Sequence, residues 1–167
     1  NLLEKFNNFE NIHIFNFGLS HKEETAIFYG EFPGDSHSGV YKRKLRHFEK
    51  NYSEVERVNL KTFDEFWKNT LQNKEIDLLK VDVEGHELAA LKGATESLKS
   101  IKVIQFEFGG TSIDSRTFFQ DFFYLFKDND FTIYRMRPNG LLKIDKYTEQ
   151  DENFSYSNFL AVNNKIS

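Results

Sequence analysis

Cysteine is absent from this chain, so it contains no disulfide and no thiolate metal site, and its redox compartment cannot be read from the sequence. Its two prolines, Pro33 and Pro138, both fall in polar stretches that read as a loop and a turn. No apolar run approaches the ~20 residues of a membrane-spanning helix, and no signal-peptide pattern is present. Positive charge is not in excess. The net charge is −4, which argues against nucleic-acid binding driven by overall charge. The GxGxxG, P-loop, HExxH and GxSxG patterns do not occur, and there is no internal repeat or low-complexity segment. These absences exclude much and leave a soluble, cytoplasmic α/β protein as the expectation.

What the chain does have is phenylalanine: 19 of its 167 residues, enough length for one domain with a Phe-rich core. The stretch from Ile76 to Ala94 organises the rest. Its apolar run of Ile76, Leu78, Leu79, Val81 and Val83 predicts a strand buried on both faces, as in a parallel sheet. Asp82, Glu84, Gly85, His86 and Glu87 crowd the end of that run. From Leu88 the period turns helical, with Leu88, Leu91 and Ala94 on one face. Strand, polar turn and helix make half of a βαβ unit, whose ligands bind beyond the carboxyl ends of the strands.

Along the chain, Leu2, Leu3 and Phe6 read as the end of a helix that runs out at Asn7 and Asn8, and Ile12 to Phe17 as a strand. Thr25 to Tyr29 follows a polar turn and suggests a hairpin with it. Residues 32–40 read as a loop, and Lys42 to Lys50 is basic. Val55 to Leu60 alternates as a short strand. Thr62 and Glu65 fit a capping box before a helix that buries Phe63, Phe66, Trp67 and Leu71. Val103 to Phe108 is a second buried strand. Phe118, Phe119, Phe122, Phe123 and Phe126 form the stripe of an amphipathic core helix. Strands at Phe131 to Met136, Leu141 to Ile144 and Phe159 to Val162 close the chain and give the sheet an antiparallel edge.

Asp82, Glu84 and Glu107 belong at the carboxyl ends of two adjacent strands, where a partly desolvated carboxylate needs a partner. They could hold ligand hydroxyls, amines or a hard cation. Equally, Glu84 could cap the helix beginning near Gly85, and Glu87 could complement its positive end. His86 is either a proton acceptor near neutral pH or a surface residue of a first helical turn. His37 could face a substrate or merely fill a flexible loop. The run Lys42 to Arg46 could bind phosphate or an acidic partner, or be a solvated helical face.

The segment Asp77 to Glu87 (DLLKVDVEGHE), followed by Leu91-Lys92-Gly93-Ala94 and then Ile104-Gln105-Phe106-Glu107, resembles the FkbM family of S-adenosylmethionine-dependent methyltransferases. Leu60 to Phe66, Phe17 to Ser20 and Asn158 to Asn163 add weaker matches. The resemblance implies a Rossmann-like class I methyltransferase fold with a mostly parallel sheet of order 3-2-1-4-5-7-6 and an antiparallel C-terminal edge. It implies methyl transfer to a hydroxyl of a sugar, glycolipid or polyketide-like acceptor, with S-adenosylmethionine as cofactor. By position it places Asp82 beside the methyl-bearing end of the cofactor and Leu19 and Ser20 near its adenine. Glu84, His86 and Glu107 fall on the acceptor side as catalytic candidates. No metal site is predicted, although an acidic cluster could instead hold a divalent ion that acidifies the hydroxyl.

One departure stands out. The family's glycine-rich first loop, of the type DVGANxG, and the acidic end of its second strand are missing. The chain opens Asn1-Leu2-Leu3 without an initiator Met. The expectation is therefore an N-terminally truncated domain, active as the full-length protein rather than alone. The alternative is a cofactor-incompetent, non-enzymatic binding or scaffolding module that keeps the acceptor half of the fold.

Overall fold

The computed structural model describes Phe6 and residues 9–166. The helix end expected over Leu2, Leu3, Asn7 and Asn8 lies outside the described residues, Phe6 aside.

Two sheets organise the molecule. The first has three strands, β1 (Gly18–Leu19), β2 (Glu24–Gly30) and β3 (Ser53–Lys61), in the order β1-β3-β2. β3 pairs parallel to β1 and antiparallel to β2. The strand expected over Ile12 to Phe17 does not form, so the expected hairpin with β2 is replaced by the β2–β3 pairing. Phe15 and Phe17 instead stack edge-on against Phe66, at centroid distances of 4.8 and 5.4 Å. Phe66 belongs to α1 (Phe63–Asn69), whose N-cap Thr62 accepts a hydrogen bond from the Glu65 N–H.

The second sheet has five strands: β4 (Ile76–Val81), β5 (Ile101–Phe108), β6 (Phe131–Arg137), β7 (Gly140–Ile144) and β8 (Ser157–Asn163). Their order is β4-β5-β8-β6-β7. Helix α2 (Glu87–Lys92) links β4 to β5, and α3 (Gly110–Ser115) and α4 (Phe119–Asp128) link β5 to β6.

The expected mostly parallel, Rossmann-like sheet is not what forms. Among the described residues, only β1–β3 and β4–β5 pair in parallel, whereas β2–β3, β5–β8, β6–β7 and β6–β8 are antiparallel. Antiparallel pairing is also not confined to an edge, because β8 lies in the interior between β5 and β6. Connection length explains this. The tight Pro138-Asn139 turn allows only an antiparallel hairpin between β6 and β7, while β4 and β5 have the α2 crossover that parallel neighbours require. Nor is β4 buried on both faces. It is an edge strand, and Leu78 is 56 % exposed.

The core is built from phenylalanine, as the composition suggests. The Phe106 ring on β5 stacks on Phe122 at 4.9 Å and on Phe159 at 5.3 Å, and meets Phe126 at 5.0 Å. Phe119, Phe122, Phe123 and Phe126 are the buried stripe of α4, while Phe118, just before the helix, stays exposed. This core fixes β5 and, through it, the end of β4.

Candidate active site at the carboxyl ends of β4 and β5

Parallel register pairs Val81 with Phe106. The next positions, Asp82 just past β4 and Glu107 still within β5, therefore lie side by side. Asp82 is partly exposed and its Oδ2 accepts from Lys80 Nζ at 2.8 Å. Glu107 sits close enough to feel the charges of both Asp82 and Glu84. Burial, followed by these neighbours, pushes its carboxyl above the usual range, although a hydrogen bond from the Tyr156 hydroxyl opposes the rise. Burial likewise raises the Glu84 carboxyl, against the pull of His37 and Arg43. Tyr156 is 56 % exposed, and the partial burial of its hydroxyl, followed by the neighbouring Glu107, pushes that hydroxyl above its ordinary value.

The turn that follows β4 is tight and strained. Glu84 has φ 51° and Gly85 φ 98°. A Cβ on Gly85 would come within 2.9 Å of the Thr111 carbonyl oxygen, so only glycine fits there. Glu87 holds the turn from inside: its Oε1 accepts from the N–H groups of Val83 and Gly85, each at 3.1 Å. Glu87 is 2 % exposed, and burial raises its pKa despite these bonds. It is thus built into the turn and does not face the rim. Glu84 is not the helix cap either, since α2 has His86 at its N-cap position with no side-chain cap bond.

His86 is also inside, at 6 % exposure. Its Nδ1 lies 3.1 Å from the Tyr41 hydroxyl and its Nε2 3.0 Å from Ser20 Oγ. Either hydroxyl can donate or accept, so a neutral imidazole is satisfied on both sides. Burial, then the nearby His21, lowers its pKa and keeps it neutral. Ser20 is fully buried; its backbone N–H donates to the Lys61 carbonyl at 2.8 Å. Leu19 packs against the core. The structure therefore brings Asp82, Glu84 and Glu107 together at the surface, and separately joins Ser20 to His86 in the interior.

A strap, residues 31–45, runs over the turn. Gly39 forms a bridge with Tyr29, and a Cβ on Gly39 would lie 3.1 Å from the Glu84 carbonyl oxygen. Asp35, from the same strap, accepts from the N–H groups of Glu31 and His37, which hold its carboxyl below the usual range. The sequence gives no hint of Tyr156 or Tyr41 as site residues. Tyr156 arrives because β8 pairs with β5, placing Ser157 opposite Phe108, and Tyr41 arrives through the strap; both are long-range facts. Among the described residues, no group of three or more His, Cys, Asp or Glu is arranged to hold a metal ion.

Residues 2–135 match the family model described as the methyltransferase FkbM domain. The chain belongs to the FkbM family. Its family-level activity is thus S-adenosylmethionine-dependent methyl transfer. The match takes in most of the chain from residue 2 onward, and it lends no support to the expectation of a truncated fragment. It ends within β6, so Tyr156 lies outside it while Asp82, Glu84 and Glu107 lie inside. No curated protein and no solved structure matches the chain significantly.

The residues present fit the family's cofactor in part. A rim of three carboxylates complements the positive sulfonium and ammonium groups of S-adenosylmethionine. Ser20 is fully buried and offers no surface to an adenine, whereas Leu19 packs on the core but stays partly exposed.

Proposed function

We propose that this FkbM-family chain methylates a hydroxyl of a sugar, glycolipid or polyketide-like acceptor at the rim formed by Asp82, Glu84 and Glu107. The observation that carries this reading is the juxtaposition of Asp82, just past the end of β4, with Glu107 on the parallel neighbour β5, beside Glu84; burial raises the carboxyls of Glu84 and Glu107 above their ordinary values. S-adenosylmethionine, when bound, supplies an already activated methyl group. The protein's share is then to align the acceptor oxygen and remove its proton. Glu107 takes that proton on a carboxylate oxygen, while the Tyr156 hydroxyl fixes its orientation. Glu84 accepts a second hydrogen bond from the acceptor, and Asp82 faces the positive end of the cofactor. His86, enclosed by Ser20 and Tyr41, is a positioning residue that locks the turn carrying Glu84.

The test is transfer of labelled methyl from S-adenosylmethionine to hydroxylated acceptors. A base of this kind contributes roughly 10²–10⁴-fold, so Glu107→Gln should lower kcat by about that factor with little change in KM. An unchanged kcat would remove Glu107 from the reaction.

A second reading, a non-enzymatic binding module, is favoured by one observation: Ser20, one of the two positions assigned to the adenine, is fully buried. Such a module would bind hydroxylated ligands at the same rim without affinity for S-adenosylmethionine.

A further inference from the structure

The sequence leaves Lys42 to Arg46 open between an anion site and a solvated helical face. In the structure, no helix forms over Lys42–Leu45, and a single 3-10 turn follows at Arg46–Phe48. The segment instead walls a cleft of about 600 Å³ whose lining includes Lys42, Arg43, Lys44, Arg46 and Lys50, with Leu45 buried beneath. A second cleft of about 490 Å³ shares Lys42, Arg43 and Lys44 and adds Gly110, Ile113 and Arg116. Asp114 is the one acid lining either of them.

In a chain of net charge −4, this concentration of cations is local and specific. Lys50 is neutralised by Glu31 at 3.0 Å. Asp114 engages Arg43 at 3.6 Å and also accepts from the Lys44 backbone N–H at 3.3 Å, which pins the strap to α3. Lys42, Lys44 and Arg46 have no carboxylate partner among the described residues. Arg43 Nε is closed off from solvent and makes no hydrogen bond.

Arg43, which lines both clefts, links them to the candidate active site. Arg43 lies close enough to Glu84 to lower its carboxyl, and its guanidinium approaches Gly110, three residues beyond Glu107 on the chain. An acceptor whose hydroxyl rests on the carboxylate rim would meet these cations with its remaining part. A phosphate matches them, since it offers several strong acceptor oxygens to arginine and lysine donors. A neutral sugar would leave the cations unpaired.

We propose that these clefts seat a phosphate ester carried by the methyl acceptor, so that the acceptor is a phosphorylated, hydroxylated molecule. The proposal rests on the methyltransferase reading above. The phosphate has two sources, a soluble sugar phosphate or a lipid headgroup.

Calorimetry on the full chain with glucose 6-phosphate, with glucose, and with phosphatidylcholine vesicles containing or lacking phosphatidic acid separates them. The expected result is that one phosphate-bearing probe binds at least about tenfold more tightly than its uncharged counterpart, and that high salt erases the difference. The double variant Lys42→Ala/Arg46→Ala, both on exposed positions, should lose most of that preference while its circular dichroism stays unchanged. Whichever phosphate probe binds assigns the source. Binding by neither, or binding indifferent to the double variant, would overturn the proposal. Methyl transfer equal for the sugar and its phosphate would also overturn it while leaving the methyltransferase reading intact. Phosphate binding without methyl transfer to any acceptor would instead count against the methyltransferase reading and not the phosphate seat.

Discussion

Glu87 and His86 are neighbours in the chain, both buried and both easily mistaken for catalytic groups. Glu87 satisfies two backbone donors in a turn that has no other way to pair them. Glu87→Ala leaves those donors orphaned, at about 1–3 kcal/mol for such a loss, and chemical denaturation should show a destabilisation of that order. His86 is held neutral, with its folded-state pKa below the ordinary 6.5. The unfolded chain therefore takes up a proton first as the pH falls. The stability owed to neutral His86 is complete above pH 6.5 and is lost progressively as pH drops through 6.5 toward the lower folded value. Tyr41, Ser20, His21 and Glu24 are the groups whose contacts or charges act on it, and none offers a carboxylate bond that would rescue the imidazolium. Thermal melts of the protein and of His86→Gln should accordingly converge on going from pH 7.5 to pH 5.5. Parallel curves would refute the linkage. The acidic run around Gly85 is plain in the sequence, but its division into inward and outward residues is not. That division depends on the φ values of Glu84 and Gly85, which turn Glu87 back under the loop.

Among the elements, helices were more legible than strands. The phenylalanine stripe of α4 has a period that only a helix buries, and Phe119, Phe122, Phe123 and Phe126 are buried as read, with Phe118 alone left exposed ahead of the helix. Ile12 to Phe17 has an equally apolar pattern, yet Phe15 and Phe17 spend it on Phe66 from irregular backbone, and pairing begins only at Gly18. The run in β4 was misread for a related reason. A short apolar run does not say whether the strand has neighbours on both sides, and the exposed Leu78 reflects a free edge. The contact between β1 and α2 is close: a Cβ on Gly93 would run into the Ser20 carbonyl oxygen, a backbone atom that cannot swing aside. Gly93→Ala should destabilise the fold by about 1–3 kcal/mol, the usual cost of overpacking, and disturb the Ser20–His86 bond with it. A melting temperature unchanged from that of the parent would show that the two elements are less tightly joined than this.

At the scale of the whole molecule, the strand order places the chemistry. β4 and β5 pair in parallel and deliver Asp82 and Glu107 together, while β8, the last strand, runs back beside β5 and brings Tyr156 to the same rim. The family resemblance in Asp77–Glu87 and in Ile104–Glu107 pointed to the first two residues but not to the third, because neither segment encodes which strand flanks β5. Nor did local sequence reveal that the basic run would wall a cleft instead of forming a helix, since the strap's course is set by its contacts with Glu84 and Asp114. The most direct test of the central claim, an acidic rim built for a cationic methyl donor, is calorimetric titration of S-adenosylmethionine against S-adenosylhomocysteine, whose sulfur is an uncharged thioether. Binding of S-adenosylmethionine is expected, with a preference over the thioether that shrinks by several-fold in Asp82→Asn, the change that roughly 1 kcal/mol of lost attraction produces. No binding of S-adenosylmethionine, or a preference that survives removal of the Asp82 carboxylate, would contradict it.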